Sequence, residues 1–317
     1  MVTPHQLYPA LSAALAVPAI FFKREDLHPY GSHKGRSIPL MIDHYYAQGA
    51  RNFVISSSGN AALAAALHVV LLNSRRKDLG INAGIISENS SGQNISLTIF
   101  IGKNIDPTKD ALLSEIKDPH IKIEQVERPL QSMTELVQKG ATPLRQSTDD
   151  VALVGYANLA DELRAIPALE AVFIAASSGT TAQALATALI PDGVQVHIAQ
   201  TTSCHPIADF WAENTEVRSA HGAAATAANP DTQVSIAGAI VDKIGHRKAA
   251  VSSGIKESGG ACWIIANEEI IAAQKLVLET TSLEISTNSA LSVAALIKAL
   301  DEGAVFEGSV ACIICGH

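Results

Sequence analysis

The chain alternates between two kinds of hydrophobic pattern. Some segments carry apolar residues at the three- and four-residue spacing of a helix packed on one face, and others are short β-branched runs that indicate strands. The helical pattern occurs at residues 34–48, 60–73, 106–116, 132–140, 156–166, 180–190, 268–280 and 288–300. The strand pattern occurs at residues 52–56, 81–87, 96–102, 121–127, 171–177, 194–201 and 309–315. Residues 203–235 fit neither pattern.

This alternation predicts an α/β fold. Strands that alternate with helices form parallel βαβ units, and successive units build a mostly parallel sheet flanked by helices. At 317 residues the chain is longer than one hydrophobic core usually organises, so we expect two lobes, each with its own sheet. Hydrophobic residues make up 47% of the chain and aromatic residues only 4%, which suits aliphatic helices on a parallel sheet.

Composition narrows the classes of partner. The formal net charge is -8 and no run is rich in Lys and Arg, which argues against nucleic-acid and membrane partners and favours a small molecule. Cys204, Cys262, Cys312 and Cys315 are too few for a disulfide framework in a chain of this length. No apolar segment reaches the roughly 20 residues that cross a bilayer. We therefore expect a cytoplasmic protein.

Three loops each stand between a strand pattern and a helix pattern or end the chain, at 56–62, 176–183 and 312–317. Ligands of open α/β sheets bind beyond the carboxyl ends of the strands. The small residues "SSGTT", 177–181, predict either a phosphate cradle or a plain tight turn. The turn "SSSGN", 56–60, predicts either a carboxylate-binding turn or the N-cap of the next helix.

The stretch "KREDLHPYGSHKGRS", 23–37, places Lys34 after a Pro-x-Gly-Ser turn and before an apolar segment. A lysine near a helix start is usually a solvated cation, although it is unfavourable beside the positive end of the helix dipole. The alternative is a nucleophilic amine that reacts with a carbonyl. An amine, a phosphate cradle and a carboxylate turn together are what a pyridoxal-phosphate enzyme of amino-acid metabolism needs, which favours the second interpretation.

These motifs, together with the closing "CIICGH", resemble those of the fold-type II pyridoxal-phosphate enzymes, the tryptophan synthase β-like superfamily. Within it, the chain is most similar to the threonine synthase family, whose pattern is K-x-E-x-x-N-P-T-G-S-F-K-D-R, followed by a Ser-Ser-Gly-Asn loop, a small-residue phosphate loop and a terminal Thr-Gly-His-like turn. The segments "SIAGAIVDKIGHR" and "STNSALSVAAL" extend the resemblance through the second half of the chain.

The resemblance implies a role for each loop. Lys34 would hold pyridoxal 5'-phosphate as a Schiff base and move the α-proton of the substrate. Asn60 would contact the cofactor ring oxygen, and Ser57, Ser58, Gly59 and Asn60 would receive the substrate carboxylate. The residues implied for the cofactor phosphate are Ser177, Ser178, Gly179, Thr180 and Thr181. Cys315 would lie beside the ring nitrogen, where the family usually has a Ser or Thr hydroxyl.

The chain departs from the family at several of these positions. His33 replaces the usual Phe, Gly35 replaces an Asp, and the phosphate loop is poor in glycine. A Cys315 thiol is a weak hydrogen-bond donor and does not keep the ring nitrogen protonated as an Asp would, which favours elimination and replacement over transamination. The alternative for Cys315 is a buried thiol that packs as an apolar residue and has no role in the site.

The pair Cys312 and Cys315 does not predict a metal or redox site. Residues three apart on a strand point to opposite faces, and no second Cys/His pair occurs at ligand spacing. We therefore expect no catalytic metal.

The resemblance implies two lobes with the cofactor between them, a small one over residues 34–130 and a large one formed by 1–33 and 131–317. We expect a homodimer and a carbon-oxygen lyase that acts on an amino acid, best a threonine synthase-like enzyme for O-phosphohomoserine. A serine/threonine ammonia-lyase (dehydratase) is the first alternative. A catalytically weakened relative that only binds the cofactor is the second, motivated by Gly35, the loop 177–181 and Cys315.

Overall fold

The structure, a computed structural model, describes residues 2–57, 59–82, 94–103, 105, 107–214 and 234–316. The strand predicted at 81–87 and the unassigned region 203–235 lie partly outside these residues. Of that strand, Ile81 and Asn82 are described, and they are helical, so the prediction is wrong there.

Ten strands and twelve α-helices occupy the described part of the chain. The strands are β1 His5–Leu7, β2 Ala19–Arg24, β3 Asn52–Ser56, β4 Ser96–Ile101, β5 Ile121–Gln125, β6 Thr142–Pro143, β7 Leu169–Ala175, β8 Gln195–Thr201, β9 Cys262–Ile265 and β10 Ser309–Ile314. The helices are α1 Pro9–Ala14, α2 Ile38–Ala47, α3 Asn60–Asn82, α4 Pro107–Ser114, α5 Pro129–Gln138, α6 Val151–Val154, α7 Ala157–Arg164, α8 Thr180–Leu189, α9 Pro206–Asn214, α10 Lys248–Ser258, α11 Asn267–Thr281 and α12 Thr287–Asp301.

One compact unit comprises Met1–His28 and Ser147–His317. Its six strands lie in the order β1-β2-β10-β7-β8-β9, and all pairs are parallel except β1 with β2. The β10 strand is buried along its whole length, as expected for a central strand of a parallel sheet. Helix α12 packs against the strands β7 to β10, and helices α8 and α10 pack against β8. The sheet and these helices form one aliphatic core.

The second unit comprises Pro29–Gln146 and contains a four-stranded parallel sheet in the order β5-β4-β3-β6. It extends beyond the lobe that the sequence predicts over 34–130. The β6 strand pairs with β3, and Met133 of α5 packs with Val54 and Phe100 in the core of this unit. The segment after residue 130 is therefore part of the same unit as the strands before it.

The α/β expectation is confirmed, with helices packed on two mostly parallel sheets. The helix predicted over 34–48 starts later, because residues His33–Arg36 form a 3-10 turn and α2 begins at Ile38. Pro39 suits this start, since its missing amide hydrogen is not needed in the first turn. Within the residues that the structure describes, no helix is both long and apolar enough to cross a membrane.

Candidate functional site

The first group of predicted site residues lies in the Pro29–Gln146 unit and starts with Lys34. The Ser32 hydroxyl caps the turn by accepting a hydrogen bond from the Lys34 amide at 3.3 Å. The Gly35 amide donates to the Ser32 carbonyl at 3.0 Å, which closes the turn. Lys34 is half-buried, whereas His33 and Arg36 on either side are buried. The lysine is therefore held in a short, tightly bonded turn rather than on a freely exposed helix.

The turn at residues 57–60 follows β3 and leads into α3. The Ser57 amide donates to the Phe100 carbonyl at 3.2 Å, and the Ser57 hydroxyl accepts from the Gly59 amide at 3.3 Å. The Leu63 amide donates to the Gly59 carbonyl, so Gly59 precedes the helix and Asn60 is its first residue. The position of Ser58 lies outside the described residues.

The Lys34 turn and the 57–60 turn are neighbours, because helix α3 packs against the 3-10 turn that carries Lys34. Gly31, which precedes this turn, has a φ of +73°, and a Cβ atom on it would lie 3.8 Å from the Leu63 side chain in the first turn of α3. The structure thus brings Lys34, Ser57, Gly59 and Asn60 to one part of the unit.

A cation that sequence reasoning missed lies against the same turn. A Cβ atom on Gly59 would be 3.8 Å from the Nζ atom of Lys109, on α4. The sequence gives little signal for it, because a single lysine on an exposed helical pattern usually points to solvent. Lys109 comes beside Gly59 through the packing of α4 within the unit, which the sequence does not show.

The second group of predicted residues lies in the unit of Met1–His28 and Ser147–His317. Cys315 follows β10 and the loop 177–181 follows β7, and these two strands are parallel neighbours. Their carboxyl ends therefore meet at the same edge of the sheet, the edge at which α/β proteins bind ligands. The structure brings these two predicted elements together within this unit.

The loop 177–181 forms the start of helix α8. Gly179 adopts a left-handed conformation with a φ of +82° as the N-cap, and its carbonyl accepts the hydrogen bond of the Gln183 amide at 2.8 Å. The amides of residues 180–182 precede this first helical hydrogen bond, so the helix geometry leaves them without intrahelical acceptors. The N-terminal end of the helix dipole adds partial positive charge at the same place.

The hydroxyls of the loop are oriented by specific contacts. The Ser177 Oγ accepts hydrogen bonds from the amides of Val241 and Asp242 at 3.1 and 3.2 Å, which leaves its hydrogen to donate. The Ser178 and Thr180 hydroxyls lie 2.9 Å apart and share a hydrogen bond. Thr180 and Thr181 are almost fully buried. Amides and hydroxyl donors therefore converge at the start of α8.

Arg247 is a second residue that sequence reasoning missed. Its guanidinium is buried and donates to Asp150 Oδ1 at 2.9 Å, to Gln183 Oε1 at 2.9 Å and to the Asp149 carbonyl at 2.7 Å. Gln183 lies in the first turn of α8, so Arg247 ties the start of this helix to the start of α10. The only signal in the sequence is the resemblance of "SIAGAIVDKIGHR", which assigns no role to the arginine.

The turn that carries Cys315 is held by the start of helix α12. The Ser286 hydroxyl donates to the Gly316 carbonyl at 2.6 Å, and the Ser289 hydroxyl donates to it at 3.2 Å. Gly316 has a φ of +121°, which disfavours other residues there. The Cys315 Sγ is buried and lies 3.7 Å from the Ile313 carbonyl oxygen. The thiol is therefore placed with little freedom.

The four cysteines are free thiols. Cys312 is buried in β10, its Sγ lies 3.8 Å from the Ser292 carbonyl, and burial raises its pKa above the ordinary range. A thiol held protonated is a poor metal ligand and redox partner. A search of the described residues finds no group of three or more His, Cys, Asp or Glu side chains that could hold a metal ion.

Comparison with protein families gives a match along nearly the whole chain. The family model described as "Pyridoxal-phosphate dependent enzyme" matches residues 1–316. Among curated proteins, the threonine synthase of Mycobacterium leprae (strain TN) is 25% identical over 316 residues, which covers 94% of this chain and 76% of that protein.

Solved structures of the same fold align with nearly the whole chain. A pyridoxal 5'-phosphate-dependent aspartate racemase gives a TM-score of 0.77 at 18% identity and covers 100% of this chain and 90% of its own. Maize serine racemase gives a TM-score of 0.76 at 17% identity, and the alignment covers 99% of this chain and 87% of the racemase. Threonine deaminase isoform 2 from Solanum lycopersicum gives a TM-score of 0.73 at 17% identity, and the alignment covers 99% of this chain and 83% of the deaminase. At these identities the likeness concerns the fold.

Proposed function

The chain belongs to the pyridoxal-phosphate dependent enzyme family, and we propose that it catalyses a threonine synthase-like reaction on O-phosphohomoserine. In this reaction phosphate leaves the Cγ atom of the substrate and water adds at Cβ, so that threonine and phosphate are the products. The likeness to the Mycobacterium leprae threonine synthase over 94% of the chain is the observation that carries this choice.

The start of helix α8 fits the phosphate of pyridoxal 5'-phosphate. The amides of residues 180–182 lack intrahelical acceptors, and the hydroxyls of Ser177, Ser178 and Thr180 lie beside them. Only a residue without a Cβ fits at Gly179, because a Cβ there would come within 2.7 Å of Val251. When bound, the cofactor supplies an electron sink that accepts the charge left at the substrate Cα after proton removal.

Lys34 is proposed to bind the cofactor covalently and to move the proton at the substrate Cα. The Ser32 cap and the bonded 3-10 turn support this role, because they fix the backbone from which the amine extends. Ser57, Ser58, Gly59 and Asn60 are proposed to receive the substrate carboxylate, and Asn60 also to contact the cofactor ring oxygen. The position of this turn at the start of helix α3 supports the carboxylate assignment, because the N-terminal end of a helix favours negative charge.

An anionic substrate is supported by Lys109. O-phosphohomoserine carries a phosphate as well as a carboxylate, whereas serine and threonine carry only the carboxylate. The Lys109 ammonium beside Gly59 places a positive charge at the proposed carboxylate turn, where it would attract the more highly charged substrate.

Cys315 is proposed to contact the cofactor ring nitrogen. Its buried thiol, held by the turn that Ser286 and Ser289 fix, is a neutral and weak partner. Such a partner supports replacement and elimination chemistry, in which a strongly stabilised carbanion is not required. The cytoplasm is the proposed location, supported by the four free thiols, and a homodimer is the proposed assembly.

The experiment that tests this function offers the purified, cofactor-loaded protein each candidate substrate. With O-phosphohomoserine we expect release of phosphate and formation of threonine in equal amounts, and with serine or threonine we expect little keto acid. A Lys34→Ala variant, the matched control, should release no phosphate above background.

Two other results would replace the proposal. Keto acid and ammonia from serine or threonine, without phosphate release from O-phosphohomoserine, would identify an ammonia-lyase. A protein that binds the cofactor and turns over none of these amino acids would be the cofactor-binding relative.

A further inference from the structure

Three side chains of the Pro29–Gln146 unit form a continuous chain of hydrogen bonds. The Tyr30 hydroxyl lies 2.8 Å from His68 Nδ1, and His68 Nε2 lies 2.8 Å from Asp43 Oδ1. The Tyr30 and His68 rings meet edge to face with their centroids 5.9 Å apart. Each of the two contacts has the length of a good hydrogen bond.

The chain of contacts leads from the lysine turn to solvent. Tyr30 is half-buried and stands four residues before Lys34. The His68 side chain, on α3, is only 7% exposed, whereas the Asp43 side chain, on α2, is 56% exposed. The three groups therefore connect the segment that leads into the Lys34 turn, through a buried imidazole, to a carboxylate in contact with water.

The neighbours of His68 decide which ring nitrogen carries its hydrogen. An ionised carboxylate can only accept, so Asp43 accepts from His68 Nε2–H. In the tautomer with its hydrogen on Nε2, His68 has a lone pair on Nδ1 that can accept the hydrogen of the Tyr30 hydroxyl. A hydroxyl that donates to an imidazole backed by a carboxylate is the arrangement that activates hydroxyl groups in hydrolytic triads.

The hydroxyl in this arrangement is a phenol, which gives up a proton more readily than an alkyl hydroxyl. The family motif has Thr at this position, where this chain has the phenol of Tyr30.

We propose that Tyr30 is the acid–base group for the oxygen that enters or leaves the substrate side chain, and that His68 and Asp43 carry its proton to and from solvent. This inference rests on the proposed function. As the water oxygen bonds to the substrate carbon, one water O–H bond breaks and its proton goes to the Tyr30 oxygen. The Tyr30 proton moves at the same time to His68 Nδ1, and the imidazolium is stabilised by Asp43. In an elimination, the same groups give a proton to the departing hydroxyl.

The test compares variants that separate proton transfer from positioning. Tyr30→Phe removes the hydroxyl, and His68→Gln keeps an amide donor and acceptor but cannot carry a proton. Each is expected to lower kcat by about 100-fold or more, the usual contribution of general acid–base catalysis, while KM changes by less than about threefold. The double variant is expected to be no slower than the slower single variant, because the two groups act as one unit.

Further measurements exclude a folding defect. Each variant should keep the visible absorbance of the bound cofactor and the thermal transition of the wild type to within a few degrees. His68→Ala opens a cavity beside Asp43, and added imidazole should restore part of its kcat but none of the kcat of Tyr30→Phe. The matched control is His44→Gln on α2, where the exposed His44 ring forms a hydrogen bond with Gln48, and it should leave kcat unchanged.

The outcomes are distinct. If the wild type is active and both Tyr30→Phe and His68→Gln retain kcat within about threefold, the three residues form a structural clamp and the relay is wrong. If the wild type turns over neither O-phosphohomoserine nor serine or threonine, the proposed function fails, and the relay fails with it because no oxygen is exchanged.

Discussion

A Cβ atom on Gly179 would lie 2.7 Å from the Val251 Cγ2 atom, closer than real Cβ contacts allow. Gly179 also has a φ of +82°, so a side chain there meets both backbone strain and overlap. We expect Gly179→Ala to lower the free energy of unfolding by about 2–4 kcal/mol, measured by urea denaturation, and to weaken binding of the cofactor.

The matched control for this substitution is Gly193→Ala. Gly193 has a φ of +70°, but nothing lies within 4 Å of its Cβ position. Gly193→Ala should therefore lower the free energy of unfolding only by the cost of a side chain in left-handed backbone, about 1 kcal/mol. The double variant Gly179→Ala/Val251→Ala should lose less free energy of unfolding than the two single variants lose together. Val251→Ala removes the methyl group that the new Cβ atom would overlap. Equal effects at Gly179 and Gly193 would contradict the overlap.

Lys109 is expected to contribute to substrate binding. Lys109→Gln removes the ammonium next to Gly59, and a lost charge-assisted contact corresponds to a KM for O-phosphohomoserine raised about 10- to 100-fold. Lys117→Gln is the control, since Lys117 is exposed and donates to the Ser114 carbonyl at 2.6 Å. Steady-state kinetics that give the same KM for both variants would remove Lys109 from the site.

Buried His197 predicts a loss of stability at acid pH. Its ring stacks on Phe173, its Nδ1 accepts from the Ala261 amide at 3.1 Å, and burial lowers its pKa from 6.5 to about 3. Because the folded pKa lies below the unfolded one, the stabilisation is complete above pH 6.5 and is lost as the pH falls toward 3. Between pH 7.5 and 5.0 this single group removes about 2 kcal/mol of the free energy of unfolding.

The His197→Asn variant provides the comparison for this effect. Asparagine keeps an acceptor for the Ala261 amide but does not titrate. Between pH 7.5 and 5.0 the free energy of unfolding of this variant should therefore fall by about 2 kcal/mol less than that of the wild type. Parallel pH profiles for the two proteins would show that His197 does not set the dependence.

Arg247 is expected to stabilise the start of helix α8. Arg247→Met removes the hydrogen bonds to Gln183 and Asp149 and should lower the free energy of unfolding by about 1–3 kcal/mol. Arg164→Met is the control, because Arg164 is 39% exposed and its ion pairs with Asp161 and Asp192 lie at the surface, where such pairs contribute about 1 kcal/mol or less. Calorimetry of both variants measures the difference.

The sequence predicts most long elements of the fold because their periodicity is regular. The strand over 52–56 is found with the predicted bounds, and helices α8, α11 and α12 lie within two residues of theirs. The strands β1, β2, β6 and β9 are not predicted; β1, β6 and β9 have only two to four residues, too few to show alternation. The helix predicted from Lys34 begins only at Ile38, where the apolar spacing starts, and residues His33–Arg36 form a 3-10 turn before it.

Residues of the candidate site that belong to local sequence motifs can be predicted from the sequence, whereas residues that reach the site through tertiary packing cannot. The motif resemblance predicted the family, which the match over residues 1–316 confirms, and with it the cofactor. The assignments of individual site residues stay predictions. Lys109, Arg247 and His68 acquire their neighbours from other elements, so no local motif marks them.

The most direct test of the account is the identity of the lysine that binds the cofactor. Protein purified with pyridoxal 5'-phosphate is reduced with borohydride, digested and analysed by mass spectrometry, with Lys34→Ala as the control. We predict a coloured protein with one pyridoxyl group on the peptide that contains Lys34, and no such adduct in the control. A colourless protein, or an adduct on another lysine such as Lys109, would contradict the assignment.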